Sequence, residues 1–397
     1  GGGNSDTINL GNFSNSLDDI LGAVFAQGDA HDTLAKTTLT VRADSNALDS
    51  GDVLNLNDQL DNGDNTYTLS ATTFQRGGTG LLTYGTFETL NLKTGTGADG
   101  INIASTVASS NTFINPQGLN TGADTVNITT SGANSNLTVK TYTGLGTVTI
   151  DTTGSGSYTQ ITTADFNDTV TVKTVGANAR LGINTDTGED TVNVRASASG
   201  SLIDINAGSG SDTINIGSTG NSLDDLLGAV FVQGDAHSAS TKTTLTVRGV
   251  DHILDSGDIL NLNDHLDSSD NTYTLTATTL QRNGTGMLTY TTIETLNLNT
   301  GTGNDTVNAA STTAGINTVF NAVGDNSGVD TLTITTGDNS NVIINTYAGA
   351  DSVTIDASGA GSYTRIFTAE GNDSVFVKVV GANARMQVNG EAGSDTI

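Results

Sequence analysis

Ten aspartates stand at nearly regular intervals in this chain: Asp99, Asp124, Asp168, Asp190, Asp212, Asp305, Asp330, Asp351, Asp373 and Asp395. Most follow a glycine turn and precede a short β-branched run. The turn is fullest as Gly95-Thr96-Gly97-Ala98-Asp99, Gly208-Ser209-Gly210-Ser211-Asp212 and Gly301-Thr302-Gly303-Asn304-Asp305, and shorter as Gly122-Ala123-Asp124, Gly188-Glu189-Asp190 and Gly371-Asn372-Asp373. A carboxylate beside the bare carbonyls of a glycine turn is a hard oxygen donor set, the kind that suits Ca²⁺. If these turns stack, successive carboxylates come about 5 Å apart. Each like-charge neighbour then costs about 1 kcal/mol in water and roughly 3 to 4 at an effective dielectric of 20. A shared column of Ca²⁺ would turn that repulsion into cohesion. The competing reading is an Asx-turn at each Asp, with the charge facing water.

The elements that must carry these turns are short strands. Asp-Thr-[Val/Ile]-Asn-[Val/Ile], or a close relative, recurs in steps of 22 residues from Asp124 through a degenerate Gly146 to Asp212. In the second half, Asp305, Asp330, Asp351, Asp373 and Asp395 step by 25, 21, 22 and 22. A second apolar alternation (Leu137-Thr138-Val139, Leu181-Gly182-Ile183, Leu202-Ile203-Asp204-Ile205) lies about eleven residues from its flanking motif strands. Two strands per period of 20 to 30 residues predict an all-β fold, a parallel β-solenoid or β-helix whose rungs stack. Period-two alternation points Val170 and Val192 inward, with Thr171 and Asn193 outward.

A longer repeat encloses the short one. Asn15-Ser16-Leu17-Asp18-Asp19 returns as Asn221-Ser222-Leu223-Asp224-Asp225, an offset of 206, and Gly176–Arg180 returns as Gly381–Arg385 at 205. The expected organisation is module 1 over 1–206 and an incomplete, continuous module 2 over 207–397, with about eight rungs per module. Gly393–Ile397 match Gly210–Ile214 in character, so the sequence is expected to be a window of a longer array. The region from Asp6 to Lys93 is looser. Its strands are expected to pair as Thr7–Leu10 with Ala23–Gln27, Thr38–Arg42 with Asp52–Asn57, and Thr66–Thr73 with Leu81–Leu92, with Asn15–Leu21 a loop or short helix. Whether the cross-section has two sheets or three does not follow from spacing.

Composition narrows the function. Acidic residues outnumber basic ones 42 to 14, a formal charge of −28, which repels nucleic acid and acidic membrane surfaces and attracts divalent cations. No apolar run is long enough for a membrane span. The absence of Cys excludes a disulfide scaffold, and large cysteine-free repeats suit a bacterial exterior. Catalysis is not expected: Arg42/Arg248, Arg76/Arg282 and Arg180/Arg385 recur once per module, as structural positions would. The four histidines (His31, His237, His252, His265) read as scattered surface residues. The Thr/Asn-rich outer faces are plain soluble surface or a place for glycan contacts.

The Gly-x-Gly-x-Asp turns resemble the RTX nonapeptide of secreted bacterial proteins, which binds Ca²⁺ between adjacent coils. The resemblance covers one turn per rung, since the opposite turns (Ser131–Ser135, Gly154–Ser157, Gly176–Ala179) lack the Asp. It implies a relative of that family, similar to the tandem-repeat surface proteins of environmental bacteria, with the ten aspartates as metal ligands. The expected function is a structural extracellular rod or filament of the cell surface or matrix, self-associating end to end or laterally. The alternatives are the stalk of a large adhesin and, more remotely, a carbohydrate-active β-helix enzyme.

Overall fold

The computed structural model describes residues 4–12, 14–29, 35–115, 121–235, 241–321, 323 and 326–397. His31, His237 and Pro116 lie outside them. All regular structure among the described residues is β: two sheets of 16 strands, mostly parallel, and two separate two-stranded hairpins. The chain divides into two compact units, Gly1–Val192 with Ser197–Gly208, and Asn193–Ala196 with Ser209–Ile397.

In the first unit one sheet is wholly parallel. Thr7–Leu10, Val53–Asn57, Thr89–Lys93, Asn111–Ile114, Asn136–Tyr142, Tyr158–Thr163, Arg180–Asn184 and Leu202–Asn206 follow one another in register. Their number matches the eight rungs expected per module, but the first two steps, from Thr7 to Val53 and from Val53 to Thr89, span inserts and exceed the 22-residue step. The second sheet runs parallel through Thr66–Leu69, Gly100–Ile103, Thr125–Thr130, Thr147–Thr152 and Thr169–Val172. The cross-section is therefore two sheets. A rung of about 22 residues supplies the long crossover that parallel pairing requires.

Alternation puts Leu137, Val139, Leu181 and Ile183 of one sheet and Val126, Val148, Val170 and Val172 of the other fully inside. Val170 and Val192 are both buried, while Thr171 and Asn193 are half-exposed on the opposite side of their strands. Each such aliphatic side chain contributes roughly 1.5–3 kcal/mol by leaving water. No rung closes its own core, so that stabilisation is shared between neighbours.

The second unit repeats the plan. Ile259–Asn263, Thr295–Asn299, Asn317–Phe320, Asn341–Asn345, Tyr363–Phe367 and Arg385–Asn389 stack in parallel. So do Thr272–Leu275, Thr306–Ala309, Thr331–Thr335, Ser352–Ala357 and Ser374–Val377.

The early part of each module departs from the expected pairing. Thr7–Leu10 pairs with Val53–Asn57, not with 23–27, and Val24–Gln27 pairs with Leu82–Gly85. Thr66–Leu69, Thr73–Arg76 and Leu82–Gly85 form an antiparallel meander. Lys36–Val41 turns back on Asp44–Asp49 as a hairpin, repeated as Lys242–Val247 with Val250–Asp255. The cause is connection length: the turns after Leu69, Arg76 and Val41 are far too short for a parallel crossover, so each strand folds back on its neighbour. The 15–21 segment carries no helix.

Candidate functional site

The aspartate turns are built to let one rung sit directly on the next. A Cβ added at Gly188, whose φ is +153°, would lie 2.1 Å from the Phe166 carbonyl oxygen of the preceding turn. Glycine is needed there for close stacking. The turn then delivers the carboxylate to the start of the following strand, where a backbone N–H would otherwise lack an acceptor.

A reciprocal pair of bonds results, repeated rung after rung. In the first unit Thr125 N–H donates to the Asp99 carbonyl (2.8 Å), and Asp99 N–H donates to Asp124 Oδ1 (3.0 Å). Asp168 N–H likewise donates to Asp190 Oδ1 at 2.7 Å. In the second unit the bonds run on through Asp305 to Asp330 (2.9 Å), Asp330 to Asp351 (2.8 Å), Asp351 to Asp373 (2.8 Å) and Asp373 to Asp395 (3.1 Å). Amide-to-carboxylate bonds of this kind are worth about 1.5–3 kcal/mol each.

All ten expected residues thus occupy equivalent positions, and the first nine are at most 2% exposed. They are inside the turn column and do not face water. Burial pushes the carboxyls of Asp99, Asp168, Asp190 and Asp305 up to about 6. Asp330 rises further, to about 7, through burial, with the Asp351 and Asp305 charges adding to it. Burial also raises Asp351.

In Asp99, Asp168, Asp305, Asp351 and Asp373, Oδ1 accepts a backbone N–H while Oδ2 is buried without a hydrogen-bond partner. Ca²⁺ takes six to eight oxygens. Among the described residues no three acidic or histidine side chains converge on a point that could hold a metal ion. As folded, the column offers hydrogen-bond acceptors and, at these five residues, a row of buried carboxylate oxygens.

Gly146 is the break in the column. Its N–H donates to Asp168 Oδ1 (2.5 Å), but without a carboxylate of its own it leaves Thr141 Oγ1 buried and unpartnered.

Several ladder members escaped sequence reasoning. Asp6 N–H donates to Asp52 Oδ1 (2.8 Å), and Asp52 N–H to Glu88 Oε2 (2.8 Å). Asp212, Asp258 and Glu294 repeat this in the second unit at 2.9 Å each. The signal was present: Asp52-Val53-Leu54-Asn55-Leu56 and Glu88-Thr89-Leu90-Asn91-Leu92 are the same motif with wider spacing.

Two further polar devices accompany the column. Outward asparagines hydrogen-bond along the stack, Asn91 to Asn55 and Asn55 to Asn9 at 2.8 Å each. Arg76, almost fully buried, holds three acids: Nη1 is 2.5 Å from Asp18, Nε is 2.7 Å from Asp58, and Nη2 meets Asp61. Tyr67 donates to Asp58 (2.7 Å). Arg282 does the same with Asp224, Asp264 and Asp267. These clusters pin the 14–21 and 222–227 loops against the meanders, because Leu17 N–H and Leu223 N–H donate to Asp58 and Asp264. His252 and His265 sit apart in structural contacts with Asn341 and Asn221.

Compared with known protein families, with curated proteins and with solved structures, the chain matches none.

Proposed function

We propose that this chain is a structural segment of an extracellular filament or rod, a repetitive body whose task is mechanical. The observation that carries the reading is the redundancy of the rung contacts. Strand pairing, reciprocal aspartate–amide bonds and asparagine ladders all join the same neighbours, and the charged clusters serve packing. A load along the stack is met at every rung by many parallel bonds. The stalk of a large adhesin uses the same body, so it belongs to the same reading. Lateral or end-to-end self-association distinguishes the filament. Negative-stain images of the purified chain at high concentration are expected to show ordered filaments or arrays. Isolated short particles at every concentration would leave the stalk.

Calcium stabilisation of the aspartate turns is a second reading, favoured by the row of buried Oδ2 atoms and by the likeness of the turns to the RTX nonapeptide. A metal held by the folded state alone raises the melting temperature through mass action. Melting in excess calcium is then expected to exceed melting in excess chelator by several degrees. Equal melting would leave the amide ladder as the sole role of these carboxylates.

A further inference from the structure

The first hairpin lies over the outer face of its own sheet, and the contact is incomplete. Leu39 and Val41 turn down and are buried. The tip is tied on two sides, by Arg42 Nη1 to Asp204 (3.0 Å) and by Asp44 to Arg180 Nε (2.5 Å). Between the hairpin tip and the sheet there remains a cleft of 180 Å³, bounded by Val41, Arg42, Gln160, Gly182, Asn184 and Asp204, with Asn206 beside them.

Gly182 makes this space. It stands in the middle of Arg180–Asn184, where a glycine weakens a strand and leaves room for something to approach the backbone. Any side chain there would enter the cleft, since even a Cβ would be 3.6 Å from Val41. In the second unit the corresponding residue is Gln387, whose amide donates to Asn389 (3.1 Å), and the residue at the Gln160 position is Arg365.

The lining has a definite chemistry. Gln160 and Asn184 present side-chain amides that have no hydrogen-bond partner among the described residues, and each offers both a donor and an acceptor. Arg42 and Asp204 neutralise each other, so the cleft carries no net charge for an anion or a metal ion. Val41 supplies a small apolar wall. The volume is below the roughly 300 Å³ at the lower end of drug-sized sites, which restricts an occupant to one small ring at a time. We propose that this cleft binds a neutral sugar ring of a glycan, with the amides of Gln160 and Asn184 and the Arg42–Asp204 pair hydrogen-bonding its hydroxyls. One such site per module that keeps a glycine at this position would let a repeat array hold a polysaccharide at many weak points, with avidity set by their number.

The test uses the full chain and defined neutral probes: cello-, xylo-, manno- and galacto-oligosaccharides of four to six units, followed by saturation-transfer NMR and titration calorimetry. At least one series is expected to bind with millimolar or tighter affinity. Gly182→Gln, which installs the second unit's residue, is expected to weaken binding at least tenfold at an unchanged melting temperature. Asn184→Ala, at a half-exposed position, is expected to weaken it several-fold. Failure of every probe to bind at millimolar concentration overturns the proposal. So does binding that neither substitution reduces, which would place the glycan elsewhere on the surface. Neither result bears on filament formation, which is read separately by microscopy.

Discussion

The two hairpins share a plan and differ in how their tips are held. Both bury a Leu and a Val (Leu39 and Val41, Leu245 and Val247) and both carry an outer Lys–Asp pair, Lys36 with Asp49 and Lys242 with Asp255. Both also reach an asparagine of the sheet below. Asn46 Nδ2 lies 3.1 Å from Asn136 Oδ1, and His252 Nδ1 lies 2.8 Å from Asn341 Oδ1. Beyond that the chemistry changes. The first tip is clamped by ion pairs to Arg180 and Asp204. In the second, Asp44 is replaced by Val250, which packs on Leu245, Val247 and Tyr363. His252 stacks on Tyr363 with ring centroids 4.6 Å apart and planes within 11°, and the Arg385 guanidinium lies 6.0 Å from the Tyr363 centroid. The apolar pair sets where a hairpin docks, and the tip is free to be polar and hollow or aromatic and full.

Breaking the shared part has the largest effect. Leu39→Asp or Leu245→Asp places an unpaired charge under the hairpin and is expected to cost about 3–5 kcal/mol, capped by the cost of releasing the hairpin. Hydrogen exchange should show loss of protection confined to 36–49 or 242–255. Equal exchange in parent and variant would mean that the docking face is misassigned.

The aspartate columns offer a second contrast, Gly146 in one unit against Asp351 in the other. A carboxyl raised in the fold above its unfolded value of about 3.9 is protonated more readily when folded. Its folded state is therefore favoured at low pH, and stability falls as pH climbs from about 4 through 6 to 7. The melting temperature is expected to rise by several degrees from pH 8 to pH 5. Asp330→Asn, facing Asp305, Asp351 and Asn326, should remove part of that rise while keeping an acceptor for the Asp305 amide. An unchanged pH slope in this variant would show that general charge repulsion, and not the column, sets it. In Gly146→Asp the new Cβ would meet Thr141 Oγ1 at 2.7 Å, so the hydroxyl must rotate to bond the new carboxyl. The net gain is expected to be at most about 1 kcal/mol at pH 5, fading toward pH 8.

Smaller effects separate the two tips. Tyr363→Ala removes the stack on His252 and should cost about 1 kcal/mol beyond its buried area, with no salt dependence. Asp44→Ala removes an ion pair that is partly exposed, and its cost should stay at or below about 1 kcal/mol at low salt and vanish at 1 M salt. Salt-dependent opening of 242–255, or salt-independent holding of 36–49, would reverse the assignment of the two tips.

The regular part of each module was legible because a single signal, the 22-residue step, fixes rung length, parallel direction and which Val or Ile is inside. The Asp6–Lys93 region was not, because its strands alternate in the same way yet belong to inserts. Thr38–Leu39–Thr40–Val41 reads like a rung strand. What makes it a hairpin is Arg42 in a left-handed conformation, with φ of 54°, and the first copy has no Asn-Gly or Asp-Gly pair to announce that turn. The candidate site was half legible. Residue type and spacing found the aspartates, but their burial and their amide partners depend on register between rungs, which spacing alone leaves open.

The reciprocal bonds also give the stack a direction in time. The carbonyl that receives a new strand belongs to the rung already formed, whereas the carboxylate that satisfies that rung's amide comes from the rung after it. Each layer is thus one acceptor short until its successor arrives. A chain emerging from its N-terminus would zip layer upon layer with a lag of a single rung, each newcomer locking its predecessor, so that order of synthesis and order of consolidation coincide.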